Sequence, residues 1–198
     1  MNPVFSIGHS DHAVEDFVAL LARHGVSAVA DVRAAPYSRH HPQFSKAALM
    51  ATLRSAGVAY VYLGEALGGL PSARVRSQMR GSGYGAMAST EAFREGIARV
   101  GRGREQHRIA LMCAERDPID CHRALLVGRA LAGAGVAVEH IHANGETEGQ
   151  AALERRLLDA AGRGEGGDLF ATPSELLDLA YLRQEQRAGL IDEEQGAE

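Results

Sequence analysis

A chain of 198 residues with 45% hydrophobic and 23% charged side chains can build one packed domain of ordinary size, which excludes disorder throughout. Its apolar runs are too short for a transmembrane helix, and Met1 to Ser10 reads as a strand, not a signal peptide. With only Cys113 and Cys121, the expectation is a cytoplasmic protein with free thiols, not a disulfide scaffold.

The net charge of −4 hides an asymmetry. Residues 1–135 carry 16 basic and 11 acidic side chains, whereas residues 136–198 carry 5 and 14. Eight arginines against three glutamates make residues 72–108 the basic stretch. Lys46 is the single lysine; a GC-rich coding bias explains that, while guanidinium also suits bidentate phosphate binding.

Pro3 to Gly8 is an apolar run ending at glycine and reads as strand one. Asp11 is placed to cap a helix through about His24, stopped by Gly25. Ala28 to Val32 is strand two, apolar throughout and so buried on both faces, as in a parallel sheet. A polar loop, Arg33 to Phe44, leads to a helix capped by Ser45 and ended near Gly57. Val58 to Leu63 is strand three.

Gly64 to Thr90 lacks periodicity and reads as a long loop, a lid or a disordered segment. A helix from about Glu91 to Val100 precedes strand four, Arg108 to Cys113. After the Asp117-Pro118 turn comes a helix from about Cys121 to Ala132, then strand five, Val136 to Ile141. A helix from about Gly149 to Ala161 and a glycine-rich hinge, Gly162 to Gly167, follow. Thr172-Pro173-Ser174-Glu175 starts a last helix, to about Arg187. Ile191 to Glu198 is an acidic tail.

Strands alternating with helices predict an α/β fold: a single Rossmann-like domain over residues 1–161, with residues 162–198 packing on it as hinge, helix and tail. The sheet is expected to be five-stranded, mostly parallel, of order 3-2-1-4-5, with helices on both faces. Ligands of such sheets sit beyond the carboxyl ends of the strands, where the winding reverses, here between strands one and four.

Each strand end is polar. Strand one delivers His9 and Ser10; strand two, Asp31 and Arg33; strand three, Tyr62, then Gly68-Gly69. Strand four delivers Cys113, Glu115 and, at a helix start, Cys121-His122-Arg123. Strand five delivers His140, His142 and Asn144. His9 with Asp31 or Glu115 is a candidate general acid/base, and Cys113 or His122 lines the same centre. Cys113 is either a small buried hydrophobe or a nucleophile activated by His9, His122 or a helix N-terminus. Arg33, Arg39 and Arg123 are candidates for an anion, with Ser10, Ser38, Tyr62 and Cys121 as further ligand contacts. Arg33 can instead pair with Asp31. Gly68-Gly69 most simply serves a turn.

Taken together, Ile7-Gly8-His9-Ser10, Asp31-Val32-Arg33 with Pro36, Ser38 and Arg39, Leu67-Gly68-Gly69, Cys113-Ala114-Glu115 and Cys121-His122-Arg123 resemble the domain of unknown function 488 family. So do Ala152 to Leu158 and Asp168-Leu169-Phe170. The resemblance implies an α/β fold and a pocket built from these positions, and no particular reaction.

Known cysteine loops do not fit. A phosphatase loop needs arginine six positions after cysteine, where Ile119 and Val127 stand. A rhodanese-like loop wants a cation five positions on, where Pro118 and Leu126 stand. No P-loop or G-x-G-x-x-G follows strand one. Three readings stay open: an enzyme acting by hydrolysis or group transfer on a phosphorylated small molecule, nucleotide or nucleic-acid base; a Cys/His module for zinc or iron, or for thiol redox chemistry; and a ligand or nucleic-acid binding module without turnover. Cys113, Cys121 and His122 with His9 or Glu115 suit zinc or iron by chemistry, although C-x-x-C pairs are missing.

Overall fold

The computed structural model describes residues 2–69, 83–162 and 171–188. Central strands are β1 (Val4–Gly8), β2 (Ala28–Asp31) and β4 (Ile109–Cys113), every residue of which is buried. β3 (Ala59–Tyr62) and β5 (Val138–Ile141) flank them, and a short β6 (Thr147–Gly149) runs antiparallel to β5. The sheet is thus α/β and mostly parallel, as expected, but has six strands in the order β3-β2-β4-β1-β5-β6.

This corrects the expected order 3-2-1-4-5. β4 lies between β2 and β1, not outside β1. The error has a physical source. β1, β2 and β4 are all apolar on both faces, so burial pattern alone cannot rank them. Only the half-exposed β3 declares itself an edge. The insertion matters for the site, because Cys113 now stands in register with Gly8 on one side and next to the end of β2 on the other.

Two helices, α1 (Val14–Arg23) and α2 (Lys46–Ser55), cover one face. There Phe5, Ile7, Val29 and Met112 of the sheet pack on Phe17, Leu21, Leu49 and Leu53. Ala13, not Asp11, is the N-cap residue of α1. The opposite face packs Val4, Ala30, Leu111 and Cys113 against the later helices. These are α3 (Gly64–Leu67), α4 (Gly83–Ala88), α5 (Glu91–Gly103), α6 (Arg123–Gly128 continuing as Arg129–Gly133), α7 (Gln150–Ala160) and α8 (Pro173–Arg187).

α6 opens as a π-helix (Arg123–Gly128), buried throughout, and continues as an α-helix (Arg129–Gly133). Helical turns at 64–67 and 83–88 occur within the long loop expected over 64–90; residues 70–82 of that loop, most of the Gly162 to Gly167 hinge and the acidic tail lie outside the described residues. α8 begins at the expected start, where Thr172 and Glu175 bond each other's backbone N–H in a capping box. Its Tyr181 is fully buried against the domain. No described helix is long and apolar enough to cross a membrane.

Candidate functional site

Cys113 closes β4, and the chain then loops through Glu115 and a single 3-10 turn (Pro118–Asp120) to Cys121 and His122. Asp117 caps that turn by accepting from the Ile119 N–H, and the Cys121 N–H returns to the Pro118 carbonyl. The loop therefore brings Cys121 and His122 back beside Cys113. One donor atom each from Cys113, Glu115, Cys121 and His122 lie within 4.8 Å of one another.

The ring of His122 is oriented from outside this cluster. Its Nε2 lies 2.8 Å from the Val32 carbonyl and carries the proton it donates there. Nδ1 is left facing the sulfurs, 3.6 Å from Cys113 and 3.8 Å from Cys121. Cys113, Cys121 and His122 are buried; Glu115 is exposed as a residue, but its carboxyl turns inward and brings Oε2 to within 2.9 Å of the Cys121 sulfur.

Electrostatics divide the two thiols. Burial pushes Cys113 well above its usual range. Burial pushes Cys121 the same way, but the Cys113 hydrogen bond, the Arg123 charge and His122 outweigh it and hold Cys121 well below its usual range. The backbone N–H of Arg123 also points at the Cys121 sulfur, at 3.4 Å. Glu115 is raised, first by burial of its carboxyl and then by Cys121. Thiolate, imidazole and carboxylate thus share protons over a few ångströms.

A second cluster occupies the other face of the same rim. Strand alternation puts Asp31 in phase with Met112, away from Cys113. Asp31 is fully buried and holds the Arg33 guanidinium at 2.9 and 2.7 Å, while the Tyr60 hydroxyl donates to it at 2.7 Å. The free edge of Arg33 donates to His9 Nε2 at 3.2 Å. His9 Nδ1 donates to the Ser10 carbonyl, and the ring stacks on Phe44 at 4.4 Å. Burial, more than the Arg33 charge, lowers His9 to a pKa of about 4. As arranged, His9 is neutral and meets Asp31 only through Arg33.

The remaining candidates scatter. Ser10 adopts a left-handed backbone, φ 44°, and its hydroxyl bonds Asp11. Ser38 serves its own turn, accepting from the His41 N–H. Arg39 is exposed. Tyr62 donates to the Ala34 carbonyl and carries the Lys46 ammonium 4.9 Å from its ring centre. Arg123 is wholly buried; it donates to the carbonyls of Glu115 and Arg116 at 2.7 and 3.1 Å, and its Nε has no partner among the described residues.

A family model described as "Domain of unknown function DUF488" matches residues 13–130 and spans α1, β2, the Cys113–Arg123 loop and most of α6. The chain belongs to the DUF488 family. No curated protein and no solved structure matches it.

Several residues of this DUF488 site do more than the sequence reading assigns to them. Gly69 passes over His122 so closely that a β-carbon would lie 2.5 Å from Cγ. Gly8 would place one 1.8 Å from the Glu115 carbonyl oxygen. Gly68-Gly69 is therefore more than a turn. Arg156 of α7 grips Asp117 with two 2.8 Å bonds and also binds Glu148, so it fixes the loop between the two halves of the thiol cluster. Tyr60 completes the Asp31 cluster. Tyr60 shares a strand face with Tyr62 by period two, which points to a face and to no partner.

Proposed function

We propose that this DUF488 protein is a metal-binding protein whose centre is formed by Cys113, Cys121, His122 and Glu115, with zinc or ferrous iron as the cation. The observation that carries this reading is the convergence of four donor atoms within 4.8 Å, with the imidazole aimed by a backbone carbonyl. Outer-shell bonds of that kind fix the tautomer of ligating histidines. Two sulfurs, one nitrogen and one carboxylate oxygen form a donor set for a borderline-soft divalent ion.

The spacings support it. Metal–sulfur and metal–nitrogen bonds of about 2.3 and 2.0 Å in a tetrahedron put sulfur and nitrogen about 3.5 Å apart. The two S···Nδ1 distances are 3.6 and 3.8 Å. The Glu115 contact at 2.9 Å is shorter than such an edge and would open on binding.

The anion-binding reading has less behind it. Arg33 is engaged by Asp31 and His9, and Arg123 by two carbonyls, so neither presents a free fork to phosphate. Elemental analysis of protein purified without an affinity metal tests the proposal. About one zinc or iron per chain is expected, falling to near zero in Cys113→Ser that retains its circular dichroism. Metal-free wild type that takes up neither ion on titration rejects it.

A further inference from the structure

The four ligands are not equivalent. Cys113 is 3% exposed and ends one of the central strands of the sheet. Cys121 is 1% exposed, and its carbonyl accepts the first N–H groups of α6, from Ala124 and Leu125. His122 is anchored at Nε2 by Val32 and covered by Gly69. Glu115 is the one ligand whose residue is exposed; its carboxyl turns inward to the two thiols, 2.9 Å from the Cys121 sulfur and hydrogen-bonded to Cys113 as well. Its backbone stays fixed, because Arg123 holds its carbonyl. The carboxylate can therefore leave by side-chain rotation alone.

Charge decides what replaces it. Two thiolates and a divalent cation sum to zero. Arg123 adds one buried positive charge, and its hydrogen bonds run to neutral carbonyls and not to a carboxylate. The neighbouring Arg33 already has Asp31. Glu115 is thus the monoanion that balances the centre, and its departure leaves both an open coordination position and one uncompensated positive charge. Three protein ligands plus one exchangeable position is the pattern of catalytic zinc, while closed four-ligand sites are structural.

We infer that Glu115 is a displaceable ligand and that the centre accepts a small monoanionic donor, such as a thiolate or a carboxylate, in its place. This rests on the metal reading above. The binding site is then a reactive one and not a staple for the fold.

Cobalt(II) reports coordination through its visible spectrum. Metal-free wild type, Glu115→Ala and Cys113→Ser are each titrated with cobalt, then with azide and with 2-mercaptoethanol. Wild type that binds no cobalt overturns the parent reading. If it binds, Glu115→Ala is expected to keep one cobalt with about a tenfold loss of affinity or less, and to change its spectrum with azide at concentrations at least tenfold below those wild type needs. Cys113→Ser is expected to lose cobalt. The inference is overturned if Glu115→Ala loses cobalt as completely as Cys113→Ser does. It is equally overturned if that variant holds cobalt but neither azide nor 2-mercaptoethanol alters the spectrum.

Discussion

Gly69 lies against the ring of His122, where a β-carbon would come within 2.5 Å of Cγ and 2.7 Å of Nδ1. The ring cannot yield without losing the Val32 hydrogen bond that aims it. Gly69→Ala is therefore expected to weaken zinc or cobalt binding by about 10–100-fold, the range typical of lost outer-shell support. Circular dichroism should stay unchanged. Chelator competition measures the affinity; a Gly69→Ala protein that binds metal as tightly as wild type would contradict the role given to this glycine.

Gly8 has a harsher constraint. Its β-carbon would fall 1.8 Å from a backbone oxygen, that of Glu115, and 3.3 Å from the Arg123 guanidinium. Backbone cannot rotate aside as a side chain can, so β1 or the loop after β4 must shift. Gly8→Ala is expected to cost about 3 kcal/mol or more, at the severe end for single substitutions. Chemical denaturation measures this, and a loss below about 1 kcal/mol would show that the two segments are not locked together.

Much of this architecture is legible without coordinates. Alternating strands and helices and the start of the last helix at Thr172 follow from local pattern. The convergence of His9, Asp31 and Arg33, and that of Cys113 with Cys121 and His122, follows from strand ends sharing one rim. That these are two clusters on opposite faces does not. It depends on Asp31 being in phase with Met112 while Cys113 is in phase with Gly8, and so on β4 lying between β2 and β1. Three strands apolar on both faces carry no mark of their order. Gly69 is illegible for another reason: its role depends on the path of a segment with no periodicity.

Arg156 is a positioning residue for the thiol cluster. It binds Asp117, which caps the turn leading to Cys121, and its charge and hydrogen bonds hold Asp117 below the usual carboxylate range. Gln184 of α8 grips the same turn through Asp120 at 2.9 Å. Removing Arg156 frees the loop without touching a ligand atom. Arg156→Ala is expected to lower metal affinity by about tenfold, while the metal-free protein loses only about 1 kcal/mol because the pair is partly exposed. Arg156→Lys should recover part of the affinity, since one of the bidentate bonds returns. Equal affinities across all three proteins would remove the loop from the explanation of the site.

His140 gives the fold a pH dependence of predictable sign. It is fully buried, accepts from the Ser6 hydroxyl at Nδ1 (2.7 Å) and donates from Nε2 to Gln150 (2.9 Å). Gln150 in turn donates to the hydroxyl of Tyr181, which donates to Glu154. Burial, with a smaller contribution from the Arg123 charge, lowers the His140 pKa to about 4 from 6.5. Between those two values the unfolded chain binds the extra proton and the folded chain does not, so stability rises with pH across the window. The contribution is complete above pH 6.5 and is lost as pH falls to about 4; its ceiling is about 3 kcal/mol. Urea unfolding at pH 7.5 and pH 4.5 should show wild type losing more stability than His140→Gln over the same interval. The variant is less stable at pH 7.5 because it leaves Ser6 and Gln150 imperfectly paired, so the slope and not the absolute value carries the test. Parallel slopes for the two proteins would mean that the buried imidazole takes no part in acid sensitivity.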